Sequence, residues 1–185
     1  VGTAPDATVG GPTAADGNRL AGGAAAVIGV YQTGTAGVTV RPVAKVGVVG
    51  SGTMATGIVE VFAKAGFPVV VIARGQDKVD GVMNAIGRSL AKAVDRGKLD
   101  QIAADDIAAR VSGSTSRDSL ADVDIVVEAI AENLEIKQEL FRDLDRICKP
   151  GAILATTTSS LPIIDLAKVT ARPADVIGMH FFNPA

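Results

Sequence analysis

The sequence holds one histidine, His180, which opens the segment HFFNP at residues 180–184. An imidazole titrates near neutral pH, so it can accept a proton from a substrate and return it. Ser159 stands 21 positions earlier, in a serine- and threonine-rich segment that ends at Pro162. A lone histidine is more often a satisfied polar residue, and a serine before a proline is often a helix N-cap. The residue types alone therefore leave both roles open.

A glycine-rich turn over residues 50–55, GSGTMA, matches the pattern G-x-G-x-x-G/A and follows an apolar run that ends at Gly50. Gly50 permits the tight turn, Gly52 lets the backbone approach a pyrophosphate, and Ala55 is small enough for close helix packing. A tight turn used only for packing is the alternative. The predicted dinucleotide-binding residues of this turn are Gly50, Ser51, Gly52, Thr53, Met54 and Ala55.

The end of the second predicted strand decides which dinucleotide is expected. An Asp or Glu there usually binds the adenosine ribose of NAD, but this sequence has Ala73 followed by Arg74. A missing carboxylate beside a guanidinium suits the 2′-phosphate of NADP. An exposed arginine in an NAD-binding protein is the alternative, so NAD and NADP both remain open, with Ala73 and Arg74 as cofactor-binding residues.

Apolar runs of about six residues alternate with helical patterns after residue 44, which is typical of a parallel sheet with crossover helices. The sequence predicts a Rossmann-type, doubly wound α/β fold with a mainly parallel sheet, helices on both faces and a helical pair inserted after the second strand. Predicted strands span residues 45–50, 68–72, 124–130, 152–156 and 176–180. Predicted helices span residues 53–65, 77–96, 105–110, 134–147 and 163–168.

Composition limits the classes of partner. The 185 residues are 48% hydrophobic and 21% charged with a net charge of -2, which predicts a globular protein that does not bind nucleic acid. No run reaches the ~18 apolar residues of a membrane span, and no secretory signal is recognisable, so we expect a cytoplasmic protein. We expect Cys148 to be a small buried residue, and no metal site is predicted.

Residues 1–44 differ from the rest because they are rich in Gly, Ala, Thr and Pro and carry few charges. This composition predicts a linker or N-terminal extension, with residues 45–185 as the dinucleotide-binding domain. Within the extension, residues 24–31 and 38–40 could pair as short strands.

Three segments considered together resemble the NAD-binding domain of the L-3-hydroxyacyl-CoA dehydrogenases: VEAIAENLEIK at residues 127–137, TTTSSLP at 156–162 and HFFNP at 180–184. The resemblance spans residues 45–185. It implies interconversion of an L-3-hydroxyacyl-CoA and a 3-ketoacyl-CoA, with His180 as general base. It also implies that Ser159 contacts the substrate oxygen, the cofactor and the acyl-CoA.

The same resemblance assigns further binding residues. Glu132 and Lys137 would lie by the nicotinamide end of the cofactor, whereas without it they would be read as a solvated helix start. Ser89 and Arg96, seven residues apart on one helical face, match positions that contact coenzyme A. Arg96 on a solvated face is the alternative to that assignment.

The sequence departs from the family pattern at Ala55, Ala73 and Thr157, where Gly, an acidic residue and Asn are usual. The carboxylate that orients the family's histidine follows it by about a dozen residues. The family's helical domain, which forms a homodimer, comes later still. Both would follow Ala185, the last residue of this sequence, so we expect the isolated chain to bind cofactor but turn over little or nothing. The sequence is also similar to the second unit of long actinobacterial proteins that carry two such units in tandem.

Two other functional readings stay open. A non-catalytic dinucleotide-binding module that senses redox state would tolerate the departures from the family pattern. A different Rossmann dehydrogenase, such as a 3-hydroxyacid type, is also conceivable, but those usually use a catalytic lysine and lack HFFNP. The presence of both Ser159 and His180 favours the acyl-CoA dehydrogenase.

Overall fold

A computed structural model describes residues 41–182, and six parallel strands run through them. The strands are β1 (Val46–Val49), β2 (Val69–Ile72), β3 (Val111–Ser114), β4 (Ile125–Glu128), β5 (Ile153–Thr156) and β6 (Val176–Gly178). The α-helices are α1 (Thr53–Lys64), α2 (Gln76–Asp95), α3 (Gln101–Ala109), α4 (Leu134–Ile147) and α5 (Ile163–Ala167). Short 3-10 helices span Arg117–Leu120 and Pro173–Asp175.

The strand order in the sheet is β3-β2-β1-β4-β5-β6, and every neighbouring pair is parallel. All four residues of β1, β2, β4 and β5 are buried, because helices cover both faces of the sheet. Helices α1, α2 and α3 pack on one face, where Val48, Ile58 and Phe62 belong to the core. Helices α4 and α5 pack on the other, around Phe141 and Leu166. The predicted Rossmann-type fold is confirmed.

The sheet brings the predicted site residues to one edge. Because all strands are parallel, the loops that follow β1, β2, β4, β5 and β6 leave from the same side. Strands β2 and β3 follow on one side of β1, and the chain then crosses to β4, which lies on the other side of β1. Ligands of such sheets bind outside the carboxyl ends of the strands at this reversal point. The crevice between the ends of β1 and β4 is therefore the expected binding region.

One local prediction was wrong, and one strand was missed. The helix predicted over residues 105–110 begins at Gln101, because the Asp100 side chain caps it by accepting a hydrogen bond from the Ala103 N–H at 2.7 Å. The edge strand β3, with the sequence VSGS, was not predicted at all. Its backbone pairs with β2, but its polar, partly exposed side chains carry no apolar periodicity. The predicted helical pair after the second strand is confirmed as α2 and α3.

The last residues of the predicted N-terminal extension contact the domain. Arg41 Nη1 donates to Asp175 Oδ1 at 2.5 Å and to the Gly151 carbonyl at 3.3 Å. The Ala44 N–H donates to Asp124 Oδ2 at 2.7 Å. The strands considered at residues 24–31 and 38–40 lie outside the described residues.

Cys148 ends α4 and is buried, as predicted. Burial raises the pKa of its thiol to about 11, so the thiol stays protonated at neutral pH.

Among the helices of residues 41–182, none combines the length and the apolar character that a membrane crossing requires.

Candidate active site

The turn between β1 and α1 has a shape that only glycine provides. Gly50 has φ +141°, a conformation that side-chain-bearing residues rarely adopt. A Cβ at this position would lie 2.3 Å from the Ala129 carbonyl oxygen, at the end of β4. The Gly50 N–H donates to the Ile72 carbonyl at 2.9 Å, which ties the turn to the end of β2. The turn therefore sits where the carboxyl ends of three strands meet.

The helix that follows this turn begins with free backbone donors. Gly52 is the N-cap of α1, no side chain accepts its first amides, and no acidic residue stands in its first turn. A Cβ built on Gly52 would meet no atom within 4 Å, so the space beside it is open. Ala55 lies fully buried beneath the turn, as its predicted packing role requires. Free amides and the positive end of the helix dipole suit a diphosphate, so this part of the site fits the dinucleotide.

The other predicted residues of the turn flank this space. Ser51 and Thr53 are exposed and Met54 is half-buried. At the end of β2, Ala73 is buried and its N–H donates to the Ser114 carbonyl at 3.2 Å. Arg74 is exposed and directly precedes Gly75, the N-cap of α2. A phosphate near Arg74 would thus meet a guanidinium and a helix N-terminus together.

Lys137 is not the solvated lysine that the alternative reading expected. Its side chain is fully buried, and its ammonium lies 2.6 Å from Glu128 Oε1 and 3.4 Å from Glu132 Oε2. Glu128, the last residue of β4, is also fully buried. Sequence reasoning missed Glu128, although a carboxylate inside the otherwise apolar run IVVEAI was a usable signal. A fully buried acid is rare unless it is paired, and here it is.

Glu132 binds the loop that follows β5. Its Oε1 accepts hydrogen bonds from the Thr158 hydroxyl at 2.5 Å, the Ser160 hydroxyl at 3.1 Å and the Ser159 N–H at 3.2 Å. Partial burial opposes ionisation of this carboxyl. The hydrogen bonds from Thr158 and Ser160 and the Lys137 ammonium outweigh that effect, and they lower the pKa of Glu132 to about 2. Glu132 is thus ionised throughout the neutral range.

Ser159 and His180 follow neighbouring strand ends. Thr156 of β5 pairs with Gly178 of β6, and the Met179 N–H donates to the Thr156 carbonyl at 2.8 Å. Both Ser159 and His180 are exposed. The His180 ring packs edge-to-face on Phe182, with centroids 5.2 Å apart. The structure thus brings the serine and the imidazole to the same edge as the glycine turn.

The N-cap role considered for Ser159 is wrong. The N-cap of α5 is Pro162, and no side chain caps that helix. The Thr158 hydroxyl instead accepts from the Leu161 N–H at 2.9 Å, which closes the loop before the helix. Ser159 itself is exposed and takes no part in capping this helix.

Ser89 and Arg96 lie on α2, away from this edge. Ser89 Oγ donates to Glu60 Oε1 at 2.8 Å, and Arg96 is the exposed C-cap of the helix. Helix α2 starts next to Arg74 at the carboxyl edge and has 20 residues, so its far end lies about 30 Å away at 1.5 Å per residue. The structure does not bring these two residues together with Ser159 and His180.

The parallel sheet and its glycine turn define a Rossmann-type dinucleotide-binding domain. Residues 45–185 match the family described as "3-hydroxyacyl-CoA dehydrogenase, NAD binding domain". The chain belongs to this family, as its sequence resemblance indicated. A nicotinamide dinucleotide of the NAD type is thus the cofactor class of the domain.

Relatives and solved structures agree with this membership. The chain is 44% identical over 140 residues to a 3-hydroxybutyryl-CoA dehydrogenase of Clostridioides difficile, covering 76% of this chain and 50% of that protein. A probable 3-hydroxybutyryl-CoA dehydrogenase of Deinococcus radiodurans is 46% identical over the same shares. The crystal structure of 3-hydroxybutyryl-CoA dehydrogenase from Escherichia coli K12 superposes with a TM-score of 0.77 at 38% identity, covering 78% of this chain and 31% of that one. The chain spans about half the length of the curated relatives it matches.

The low pKa of Glu132 predicts how its contribution to stability depends on pH. The folded-state pKa, about 2, lies below the reference value of 4.5, so the contribution is complete above pH 4.5 and is lost as the pH falls toward 2. Glu132→Gln should lower the free energy of unfolding at neutral pH by about 1 kcal/mol, since the side chain is half-exposed and solvent screens it. Urea unfolding of parent and variant at neutral and acidic pH measures this difference. The difference in free energy of unfolding should shrink in acid. A difference that does not change with pH would contradict the low pKa of Glu132. The control is Glu139→Gln, at an exposed glutamate.

Proposed function

We propose that this chain is the coenzyme-binding domain of an oxidoreductase that interconverts L-3-hydroxyacyl-CoA and 3-ketoacyl-CoA. The observation that carries the proposal is the common edge shared by the glycine turn, Ser159 and His180. A turn with free backbone amides, a hydroxyl and an imidazole thus stand at the reversal point of the sheet. The printed names of the relatives, 3-hydroxybutyryl-CoA dehydrogenases, support this reaction and a short acyl group.

The coenzyme would be held mainly by the turn and by α1. Backbone amides of Ser51, Gly52, Thr53 and Met54 would bind the diphosphate, with Gly50 and Ala55 shaping the approach. Ala73 and Arg74 would meet the adenosine ribose. Family membership supports NAD, while the Arg74 guanidinium supports NADP as a second possible coenzyme. When bound, the nicotinamide supplies the group that accepts or donates hydride.

The chain's own residues would then handle the proton and the substrate oxygen. The His180 imidazole would take the proton of the 3-hydroxyl in oxidation and return it in reduction. The Ser159 hydroxyl would donate a hydrogen bond to the same oxygen. Glu132, held in its charged form by the Thr158 and Ser160 hydroxyls, would sit with Lys137 at the nicotinamide end of the cleft.

Ser89 and Arg96 would contact the coenzyme A part of the substrate. The distance of these residues from the catalytic edge requires a long, extended ligand, which acyl-CoA is. Contact with Ser89 would compete with its hydrogen bond to Glu60, which also pairs with Lys64 at 2.5 Å. We propose in addition that residues 1–44 are a linker or N-terminal extension, which their composition supports, and that the full-length protein is a homodimer, which the family resemblance supports.

His180→Gln in the full-length protein tests the proposed reaction. The glutamine retains a polar side chain but cannot carry a proton, so kcat for acetoacetyl-CoA reduction should fall roughly 10²- to 10⁴-fold. The decrease of NADH absorbance with time measures kcat. Coenzyme affinity should stay within about threefold, because the phosphate turn is unaltered. A parent protein that binds NADH tightly yet oxidises neither NADH nor NADPH with acyl-CoA would contradict the proposed reaction and favour a redox-sensing module.

Arg74→Asp tests the choice of coenzyme. The change removes a cation suited to a 2′-phosphate and supplies the carboxylate that usually binds ribose hydroxyls. The ratio of NADH to NADPH affinity should rise about tenfold or more. Titrations of both coenzymes against the parent, Arg74→Asp and the exposed control Arg142→Asp measure the ratio. An unchanged ratio would rule out a phosphate contact of Arg74.

A further inference from the structure

Glu128 lies buried under the active-site edge and takes no direct part in the proposed reaction. Glu128 and Lys137 are each fully buried and form an ion pair at 2.6 Å. The cost of taking two charges out of water can exceed the attraction between them, and an apolar pair of similar volume is often as stable. Stability alone is therefore a weak explanation for this buried ion pair.

Glu128 has a full set of hydrogen-bond donors around its carboxylate. Oε1 accepts from Lys137 Nζ and from the Ile130 N–H at 2.8 Å, and Oε2 accepts from the Thr156 hydroxyl at 2.7 Å. These donors come from three different parts of the sheet edge: the loop after β4, helix α4 and the end of β5. The carboxylate thus joins elements that are distant in sequence.

Two chains of contacts lead from Glu128 to the loop that carries Ser159. In the first, Thr156 Oγ1 donates to Glu128 and accepts from the Thr158 N–H at 3.2 Å. In the second, Glu128 holds Lys137, whose ammonium faces Glu132, and Glu132 accepts the Ser159 N–H. Both chains end on residues 158–160. The backbone at Ser159 is therefore anchored from both sides by one buried carboxylate.

We propose that Glu128 is a positioning residue that fixes Ser159 for the substrate oxygen through Thr156 on one side and Lys137 with Glu132 on the other. This role rests on the proposed function of Ser159. Glu128 itself touches neither coenzyme nor substrate, because it is fully enclosed beneath the loop. Its carboxylate keeps the Lys137 ammonium oriented toward Glu132. It also accepts the proton of the Thr156 hydroxyl, so that the hydroxyl oxygen can accept a hydrogen bond from the Thr158 N–H.

Glu128→Gln tests this role in the absence of ligand. The amide keeps the size of the side chain but removes the charge that pairs with Lys137 and replaces one acceptor oxygen with a donor, so the contacts that lead to the Ser159 loop should weaken. Amide hydrogen exchange by NMR in the chain should speed up about tenfold or more at Ser159 and Leu161, with little change in the strands. Exposed Glu139→Gln is the control and should leave these amides unchanged. This measurement needs no coenzyme, so it succeeds or fails independently of the proposed reaction.

Thr156 supplies the second test, because its variants keep the ion pair and the fold should survive. Thr156→Val removes the hydroxyl at constant shape, whereas Thr156→Ser keeps it. In the full-length protein, Thr156→Val and Glu128→Gln should lower kcat for acetoacetyl-CoA about tenfold or more while NADH affinity changes less than about threefold. Thr156→Ser should restore kcat.

Two results would overturn the proposal. One is a folded Glu128→Gln protein whose Ser159 and Leu161 amides exchange like those of the parent. The other is Thr156→Val with parental kcat, since the hydroxyl would then have no part in placing Ser159. A parent that lacks acyl-CoA activity but shows the predicted exchange changes would instead refute the proposed function and leave the anchoring intact.

Discussion

The close approach of the Gly50 backbone to the Ala129 carbonyl is the constraint on which the rest of the site depends. The space a Cβ would need is already occupied by that oxygen, and the φ of +141° excludes most other residues. This contact places the first turn of α1 directly over the gap between β1 and β4. The direction of the free amides of α1, and hence the location of any diphosphate, follows from it. The site residues that follow β2, β4, β5 and β6 are arranged around that location.

A second constraint comes from polar and charged side chains that are buried beneath the loops of the site. The apolar strands β4 and β5 end in Glu128 and Thr156, which are buried polar residues that face each other across the pair. Because buried polar groups need partners, Lys137 from α4 is drawn into the same cluster. The cluster links the loop after β4 to the loop after β5. The site thus combines exposed groups that face ligand with enclosed groups that hold them in place.

Much of the fold could be predicted because the strands are buried apolar runs and the long helices carry an apolar face. Helix α4 has the predicted bounds, with Asn133 accepting from the Ile136 N–H as N-cap. Strand β3 could not be predicted, since an edge strand held by backbone pairing needs no apolar pattern. The glycine turn and the family were recognisable from spacing. The burial of Lys137 was not, because a charged residue in the first turn of a helix is usually solvated.

Calorimetric titration of NADH into the chain tests the central claim most directly, with Gly50→Ala and Gly81→Ala compared in parallel. A Cβ at Gly81 meets no atom within 4 Å, so that variant controls for loss of a glycine. The account predicts that the parent and Gly81→Ala bind one NADH per chain. It also predicts that folded Gly50→Ala binds at least about tenfold more weakly. Folded parent protein that takes up neither NADH nor NADPH, or Gly50→Ala that binds as the parent does, would contradict it.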